Sequence, residues 1–485
     1  MSIPDRVLAL DIASGGVTAC LMGPGLDAIE TVEYPWTFST PGDGTTTLGS
    51  AQAIDAILSA IRDATRSAPP PAAIVLSAMM HTLVITGADG IPRTPVYTWN
   101  DRRSGSYSRQ FRDRAGDYRR RTGCHVHPSF PAFKLARLRA ESGALLDGGA
   151  RVLSFKAYVG WVLTGNRAED TGTASASGLL NLETGDWDRT TFDALDLTPG
   201  QAAPVVGPET VIGHLRGGVA TEVGLPEGIP VVAGSGDGFL AATGSGCLDN
   251  DDIALTLGTT PSARRFLDRP DPDAGVSTFC YRFRDDRYLW GLAGTSGGNA
   301  LEWARETFPP SAPMDPRRPL PVFMPFQWGA RSPFWDAARQ AQWHETDSTT
   351  IGDLAASVVE GVVFQLCLFL DLLGETRQRI VLSGNGFLDP DLAMMLAGLT
   401  AGTIVEPDDP GMATLRGAVV CGFAALGQDV EPALRELIGS ARRIVAEPVP
   451  ARQERYRRFY DYCLPGPPGR GESNNRIWAD DGARK

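Results

Sequence analysis

Two short segments, far apart in the chain, share the pattern that most constrains the fold. Val7 to Leu10 is a β-rich run closing on Asp11, followed by a Gly15-Gly16 turn and a second run from Val17 to Met22. Ile253 to Leu257 repeats the pattern, with Gly258-Thr259-Thr260-Pro261 as its turn and Ser262 to Phe266 as its return. Apolar runs flanking a tip of glycine or small hydroxyl residues are a hairpin signal. Each hairpin opens about half of the 485-residue chain, a length comfortable for two domains. The spacing suggests a duplicated α/β domain with a cleft between the copies; two unrelated turns in a large protein are the other reading.

Between and after the hairpins, strand-like and helical runs alternate. The helical runs are Ser50 to Arg66, Tyr107 to Thr122, Pro131 to Glu141, Asn299 to Thr307, Ile351 to Leu373, Asp391 to Leu399 and Leu415 to Leu426. The strand-like runs are Ala73 to Leu76, Val152 to Phe155, Pro230 to Ala233, Ile380 to Leu382 and Thr403 to Glu406. Such alternation implies mixed or parallel sheets covered by helices on both faces. The net charge of −12 argues against nucleic-acid or anionic-membrane partners. Seven scattered cysteines, none in a CxxC pair, speak against a disulfide framework or structural zinc and fit a reducing cytoplasm. The N-terminus has no signal-peptide pattern, and the apolar stretch from Leu354 to Leu373 is interrupted by Glu360, Gln365 and Asp371, as in a buried helix. From Leu464 on, the chain is rich in Pro, Gly and charge, the composition of a disordered tail.

Several segments carry residues suited to chemistry. Val231-Val-Ala-Gly-Ser-Gly-Asp-Gly238 places Asp237 in a glycine-flanked turn after an apolar strand, where an α/β fold builds its sites. A carboxylate there can take a proton from a hydroxyl during phosphoryl transfer; an Asx-turn without chemistry is the other reading. Gly384-Asn385-Gly386 and Gly297-Gly298 precede helices, and both loops can let a phosphate approach backbone. No P-loop, GxGxxG dinucleotide turn, HExxH or GxSxG is present. Met79-Met80-His81 and Trp99-Asn100-Asp101-Arg102-Arg103 supply groups for gripping a polyhydroxylated, anionic substrate, or else form a satisfied histidine and a surface charge cluster. His125 and His127 have metal-like spacing, but no nearby carboxylate or thiolate completes a site.

In this order the segments resemble the FGGY carbohydrate kinases of the actin/hexokinase/Hsp70-like superfamily, from about Val7 to Leu426. DIASGGVTACLM resembles the first phosphate hairpin and LTLGTT the second; MMHTLVITGADGIPRTPVYTWNDRRS resembles the sugar-site segment, GSGDG the catalytic turn and GARSPFWD part of the C-terminal signature region. Within the family the likeness is greatest to gluconokinases, through SAMMHTLV, RTGCHVHPSFPAFKL and the Asp237-Gly238 pair, where pentulose kinases usually carry asparagine at the second position. The resemblance implies an α/β fold of two duplicated actin/hexokinase-like (ribonuclease H-like) domains, residues 1–245 and 246–463, with the catalytic cleft between them and a tail from 464 to 485. It implies ATP-dependent phosphorylation of a sugar acid at its terminal hydroxyl, D-gluconate giving 6-phosphogluconate, with another polyol or ketose such as xylulose, or a sugar-binding protein with weakened catalysis, as alternatives. Asp237 would be the base, and Asp11 would help position Mg²⁺. Ser14, Gly258 and Thr259 would hold the phosphates of ATP; Gly298, Gly384 and Asn385 would line the nucleotide pocket. Met80, His81, Trp99, Asp101 and Arg102 would serve the sugar. The family suggests a homodimer.

Departures from the family pattern gather on the nucleotide side. The cation expected near the phosphates is replaced by Thr18, LGTTP stands for the commoner LGTSG, and GNGF for a glycine pair or triplet. The aspartate usual in the helix that follows is Gly398. These changes point to altered nucleotide use or weakened transfer.

Overall fold

The computed structural model describes residues 6–272, 278–309, 317–345, 347, 349–374 and 379–464. The expected disordered tail falls almost wholly on 465–485, outside the described residues.

The first half is built on a six-stranded sheet. Its strands are β1 (Val7–Ile12), β2 (Gly16–Met22), β3 (Ala28–Pro35), β4 (Ile74–Ala78), β5 (Val211–His214) and β6 (Pro230–Gly236), in spatial order β5-β6-β4-β1-β2-β3. β1 pairs antiparallel with β2 and parallel with β4, which pairs parallel with β6. The second half repeats this plan in a seven-stranded sheet. Its strands are β7 (Asp252–Leu257), β8 (Pro261–Leu267), β9 (Phe279–Arg284), β10 (Arg287–Ala293), β11 (Arg379–Ser383), β12 (Thr403–Glu406) and β13 (Arg442–Ile444), in order β9-β10-β8-β7-β11-β12-β13. β7 again makes the hairpin with β8 and pairs parallel with β11 on its other side. The two hairpins read from sequence thus sit at matching positions in two like sheets.

Helices fill three layers around the sheets. Outside the first sheet lie α1 (Ser50–Thr65) and α2 (Phe155–Thr164), packing Ile57, Ile61, Val159 and Leu163 on Leu8, Leu10 and Leu76. Between the sheets lie α3 (Asp237–Gly244) and, from the second half, α7 (Ala413–Ala425), whose residues share one core with Val7, Ala9, Val232, Ala254, Phe266 and Val381. The second half adds α4 (Gly298–Thr307), α5 (Ile351–Leu373), α6 (Pro390–Ala397) and α8 (Pro450–Cys463), of which α5, α6 and α8 bury Val362, Leu366, Leu396 and Phe459 against Leu255 and Leu382. α5 is long and apolar enough to cross a membrane by length and composition, but most of it is buried in this core. Its start is fixed by Thr350, which accepts from Asp353 N (3.2 Å) while Asp353 accepts from Thr350 N (2.9 Å), a reciprocal cap.

α3 and α7 cross at glycines. A Cβ on Gly244 would lie 1.9 Å from the Ala413 carbonyl, and one on Gly417 2.0 Å from that of Leu240. Backbone contact between a helix of each half is possible only without side chains there.

Three sequence expectations need correction. Tyr107 to Thr122 is not one helix: it divides into Gly105–Arg109, a short 3-10 turn at Arg112–Arg114 and Ala115–Thr122. It has few apolar anchors, Tyr118 being one, so no long amphipathic stripe holds it together. The strand expected to run to Phe155 ends at Leu153, because Ser154 caps α2 by accepting from Ala157 N (3.0 Å). Asp237 stands at the first residue of α3 rather than in an open turn.

Candidate active site

A cleft of about 740 Å³ opens where the two halves meet. Both hairpin tips line it, Ala13 to Gly15 from the first and Gly258 to Thr260 from the second, and so does Asp237. Alternation along β1 explains why Asp11 belongs there: Val7 and Ala9 face the inner helices, so Asp11 falls on the same side, while Leu8 and Leu10 face out.

Strand β6 delivers Asp237 through a kink. Gly234 has φ of +56° and lies so close to β4 that a Cβ would meet the Leu76 carbonyl. Pairing with β4 slips at this point, and Ser235 and Gly236 then pair with Ser77 and Ala78. Beneath the kink, buried Lys156 donates to the Ala233 carbonyl (2.9 Å) and pairs with Asp170 (2.8 Å). Asp170 also accepts from Ser235 Oγ (2.6 Å) and Thr173 N (3.0 Å), anchoring the strand on both sides of the glycine.

The two cleft carboxylates are held in unusual states. Burial pushes Asp11 up to about 7, the charge of Asp237 adds to this, and a 2.9 Å hydrogen bond from Ser77 opposes it. Burial also raises Asp237 above the ordinary aspartate range, against the pull of the Arg264 guanidinium and of the Gly238 N–H, which donates at 2.8 Å. A carboxylate so placed is a stronger base than one in water.

The nucleotide-side candidates also converge. Gly258, Thr259, Gly298, Gly384 and Asn385 line the same cleft. Gly298 N donates to the Gly258 carbonyl (2.8 Å), and Cβ atoms on Gly298 or Gly384 would press within 2.6 Å of the carbonyls of Gly258 and Leu257. Three loops therefore pack backbone to backbone around the second tip, leaving a surface of amides and small side chains that suits phosphates. Ser14 Oγ accepts from Trp99 Nε1 (3.0 Å), which ties the first tip to the sugar-side segment. Among the described residues no cluster of three or more His, Cys, Asp or Glu side chains could hold a metal. A Mg²⁺ bound mainly through phosphates and water needs only one or two carboxylates, and Asp11 with Asp237 fits that requirement. Thr18 faces Asp11 across the hairpin but lies outside the cleft wall.

On the sugar side, Met80, His81 and Trp99 line the cleft. Asp101 and Arg102 do not. Asp101 is buried against Arg103, with which it pairs at 2.6 Å, and Arg102 is exposed. His125 stacks on Trp335 (centroids 4.2 Å apart) and bonds the Thr278 carbonyl (2.8 Å), a packing role.

A family model for the N-terminal domain of the FGGY family of carbohydrate kinases matches residues 7–244, and one for the C-terminal domain matches 256–426. The chain belongs to the FGGY family of carbohydrate kinases. Members of this family are phosphotransferases with an alcohol acceptor, and their two-domain actin/hexokinase-like fold is the one seen here. The chain is 25% identical to a gluconokinase of Bacillus subtilis over 467 residues, 90% of this chain and 91% of that one. It is 26% identical to a xylulose kinase of Escherichia coli over 441 residues, 85% and 89% of the two chains. The crystal structure of a gluconate kinase from Lactobacillus acidophilus superposes with a TM-score of 0.85 at 26% identity, covering 94% of this chain and 96% of that one.

Among the residues of this FGGY kinase that reach the cleft without having been expected there are Arg264, Tyr281 and Arg331. Arg264 sits opposite Ala254 in the β7–β8 hairpin, and Ala254 faces the inner core, so the arginine does too. Its neighbour Arg265 turns to the other face and lies over Trp290, 4.8 Å from the ring centroid. Strand alternation was the available signal, but a pair of adjacent arginines does not say which one is buried.

Proposed function

We propose that this FGGY kinase transfers the γ-phosphoryl group of ATP, with Mg²⁺, to the terminal hydroxyl of a sugar acid, D-gluconate first among them. The observation that carries the reading is the position of Asp237 at the start of α3, in one cleft with both hairpin tips and with the sugar-side residues Met80 and His81. Asp237 would accept the hydroxyl proton as the oxygen attacks; its raised proton affinity helps, and the Gly238 N–H keeps the carboxylate oriented. Ser14, Gly258 and Thr259 would hold phosphate oxygens. Asp11 would hold Mg²⁺, which neutralises charge on the phosphates when bound. The similarity to a gluconokinase over nine-tenths of both chains supports the sugar acid. The similarity to a xylulose kinase supports a second reading, a neutral ketose on the same machinery.

The test is ADP release with MgATP across D-gluconate, other sugar acids, xylulose, ribulose and glycerol, with Asp237→Asn beside the wild type. Gluconate-dependent release, lost by about 10²–10⁴-fold in the variant, is expected. Preference for xylulose would replace the substrate and keep the mechanism, and silence across the panel would overturn the kinase reading.

A further inference from the structure

The C-terminal half presents two guanidinium groups to the sugar end of the cleft. Arg264 and Arg331 are 8% and 6% exposed, both line the cavity, and both lie within electrostatic reach of Asp237. A buried arginine ordinarily spends its donors on protein acceptors. Here, among the described residues, the Nε of each has no hydrogen-bond partner, and the hydroxyl of fully buried Tyr281 has none but the Arg331 guanidinium beside it. Two unpartnered guanidinium nitrogens on residues more than nine-tenths buried converge on one wall with the Tyr281 hydroxyl, and an orphaned buried donor is costly unless a ligand completes it.

Both arginines are aimed by the protein. Arg331 Nη2 donates to His81 Nε2 at 2.9 Å, and His81 Nδ1 lies 2.6 Å from the Ala176 carbonyl. That carbonyl can only accept, so it fixes the proton on Nδ1 and leaves Nε2 as the acceptor. The Arg331 guanidinium also lies over Trp335, 5.8 Å from the ring centroid. Arg264 donates through Nη1 to Thr256 Oγ1 (3.3 Å) and sits where a side chain at position 238 would go: a Cβ on Gly238 would lie 3.2 Å from its Cζ. Gly238 thus makes room for a charge next to the base.

From this we infer that Arg264, Arg331 and the Tyr281 hydroxyl form a subsite for the carboxylate of the substrate, and that they set the preference for an acid over a neutral polyol. The inference rests on the proposed kinase reading for its reaction but not for its binding. Two guanidinium forks match a carboxylate in geometry and charge, which a hydroxymethyl group does not. Because Arg331 comes from the second half and His81 from the first, the acid would be read by a pair that spans the cleft.

The experiment compares D-gluconate with D-glucitol, which has a hydroxymethyl group in place of the carboxylate. Affinities are measured by calorimetry without nucleotide, and turnover with MgATP in parallel. Wild type is expected to favour gluconate, and Arg331→Gln to lower the gluconate-to-glucitol affinity ratio by roughly 10–100-fold. Should Arg331→Gln fail to fold, Arg331→Lys, which keeps charge but loses the fork, and Gly238→Ser, which displaces Arg264, are each expected to lower the same ratio. Equal affinities in the wild type, or equal losses for both ligands in the variants, would overturn the subsite. Discrimination in binding without transfer to any acid would leave the subsite standing and remove the kinase reading. Transfer to gluconate that ignores all three substitutions would do the reverse.

Discussion

Asp11 accepts a 2.9 Å hydrogen bond from Ser77, its register partner on the neighbouring parallel strand. At the same place in the second sheet, Thr256 lies 2.8 Å from its own register partner, Ser383. The two halves therefore carry the same hydroxyl contact at equivalent positions, but one has a carboxylate where the other has a hydroxyl. The duplicated scaffold accommodates either side chain; placing a charge in only one copy makes the cleft asymmetric.

That carboxylate has a stability cost with a definite sign. Asp11 holds its proton up to about pH 7 in the folded protein, whereas an unperturbed aspartate gives it up near 3.8. Folding therefore takes up a proton between those values, and stability falls as pH rises through that window. Asp11→Asn removes the cost. The variant's melting temperature, relative to wild type, is expected to rise between pH 5 and pH 8, by an amount worth about 1–2 kcal/mol once partial exposure is allowed for. A difference independent of pH would show that Asp11 ionises normally in the free protein.

Asp237 makes a related prediction for turnover. Burial raises its proton affinity and the Arg264 charge lowers it. The acidic limb of kcat/KM should lie above the ordinary aspartate range, and Arg264→Gln should move it to still higher pH. A limb that Arg264→Gln leaves in place would mean that the arginine does not act on the base.

The hairpins, the strand leading to Asp237 and the loops at Gly298 and Gly384 were legible in the sequence because each is a local pattern: an apolar run and then a turn of small residues. The cationic wall was not, since Arg264 and Arg331 are 67 positions apart and meet only through tertiary packing. Asp101, Arg102 and Arg103 show the same limit from the other side. Three adjacent charges read as a binding cluster, yet Asp101 turns inward to Arg103 and leaves Arg102 exposed. Strands β9 and β10 went unread although aromatic residues flank the Asp285-Asp286 turn on both sides, because arginines interrupt the apolar alternation.

The support under the active-site strand gives a third prediction. Lys156 and Asp170 are 2% and 0% exposed, so removing either partner strands a charge in the core. Lys156→Met is expected to destabilise by about 3–5 kcal/mol, whereas Lys156→Met with Asp170→Leu should recover much of that loss. Chemical denaturation of the single and double variants measures the difference. If the double variant were no better than the single one, the hydrogen bonds of Asp170 to Ser235 and Thr173, rather than the ion pair, would be what holds the strand.

The crossing of α3 and α7 links stability to catalysis. α3 begins with Asp237, and α7 belongs to the half that carries the second hairpin, so this contact sets the base relative to the phosphate loops. Gly417→Ala puts a Cβ 2.0 Å from the Leu240 carbonyl, on backbone that has no rotamer with which to escape. The helices must separate, at a cost of about 1–3 kcal/mol or more, and the base moves away from the second hairpin tip. Because a displacement of about 1 Å at a reacting centre can cost roughly a hundredfold, kcat should fall by more than the loss of folded protein explains. The control is Gly427→Ala, at a residue just beyond α7 where a Cβ would meet nothing within 4 Å, although φ of +76° adds local strain. Gly427→Ala is expected to lower the melting temperature with little change in kcat. If both substitutions reduced kcat only in proportion to stability, the glycine crossing would be a packing feature without influence on the reaction geometry.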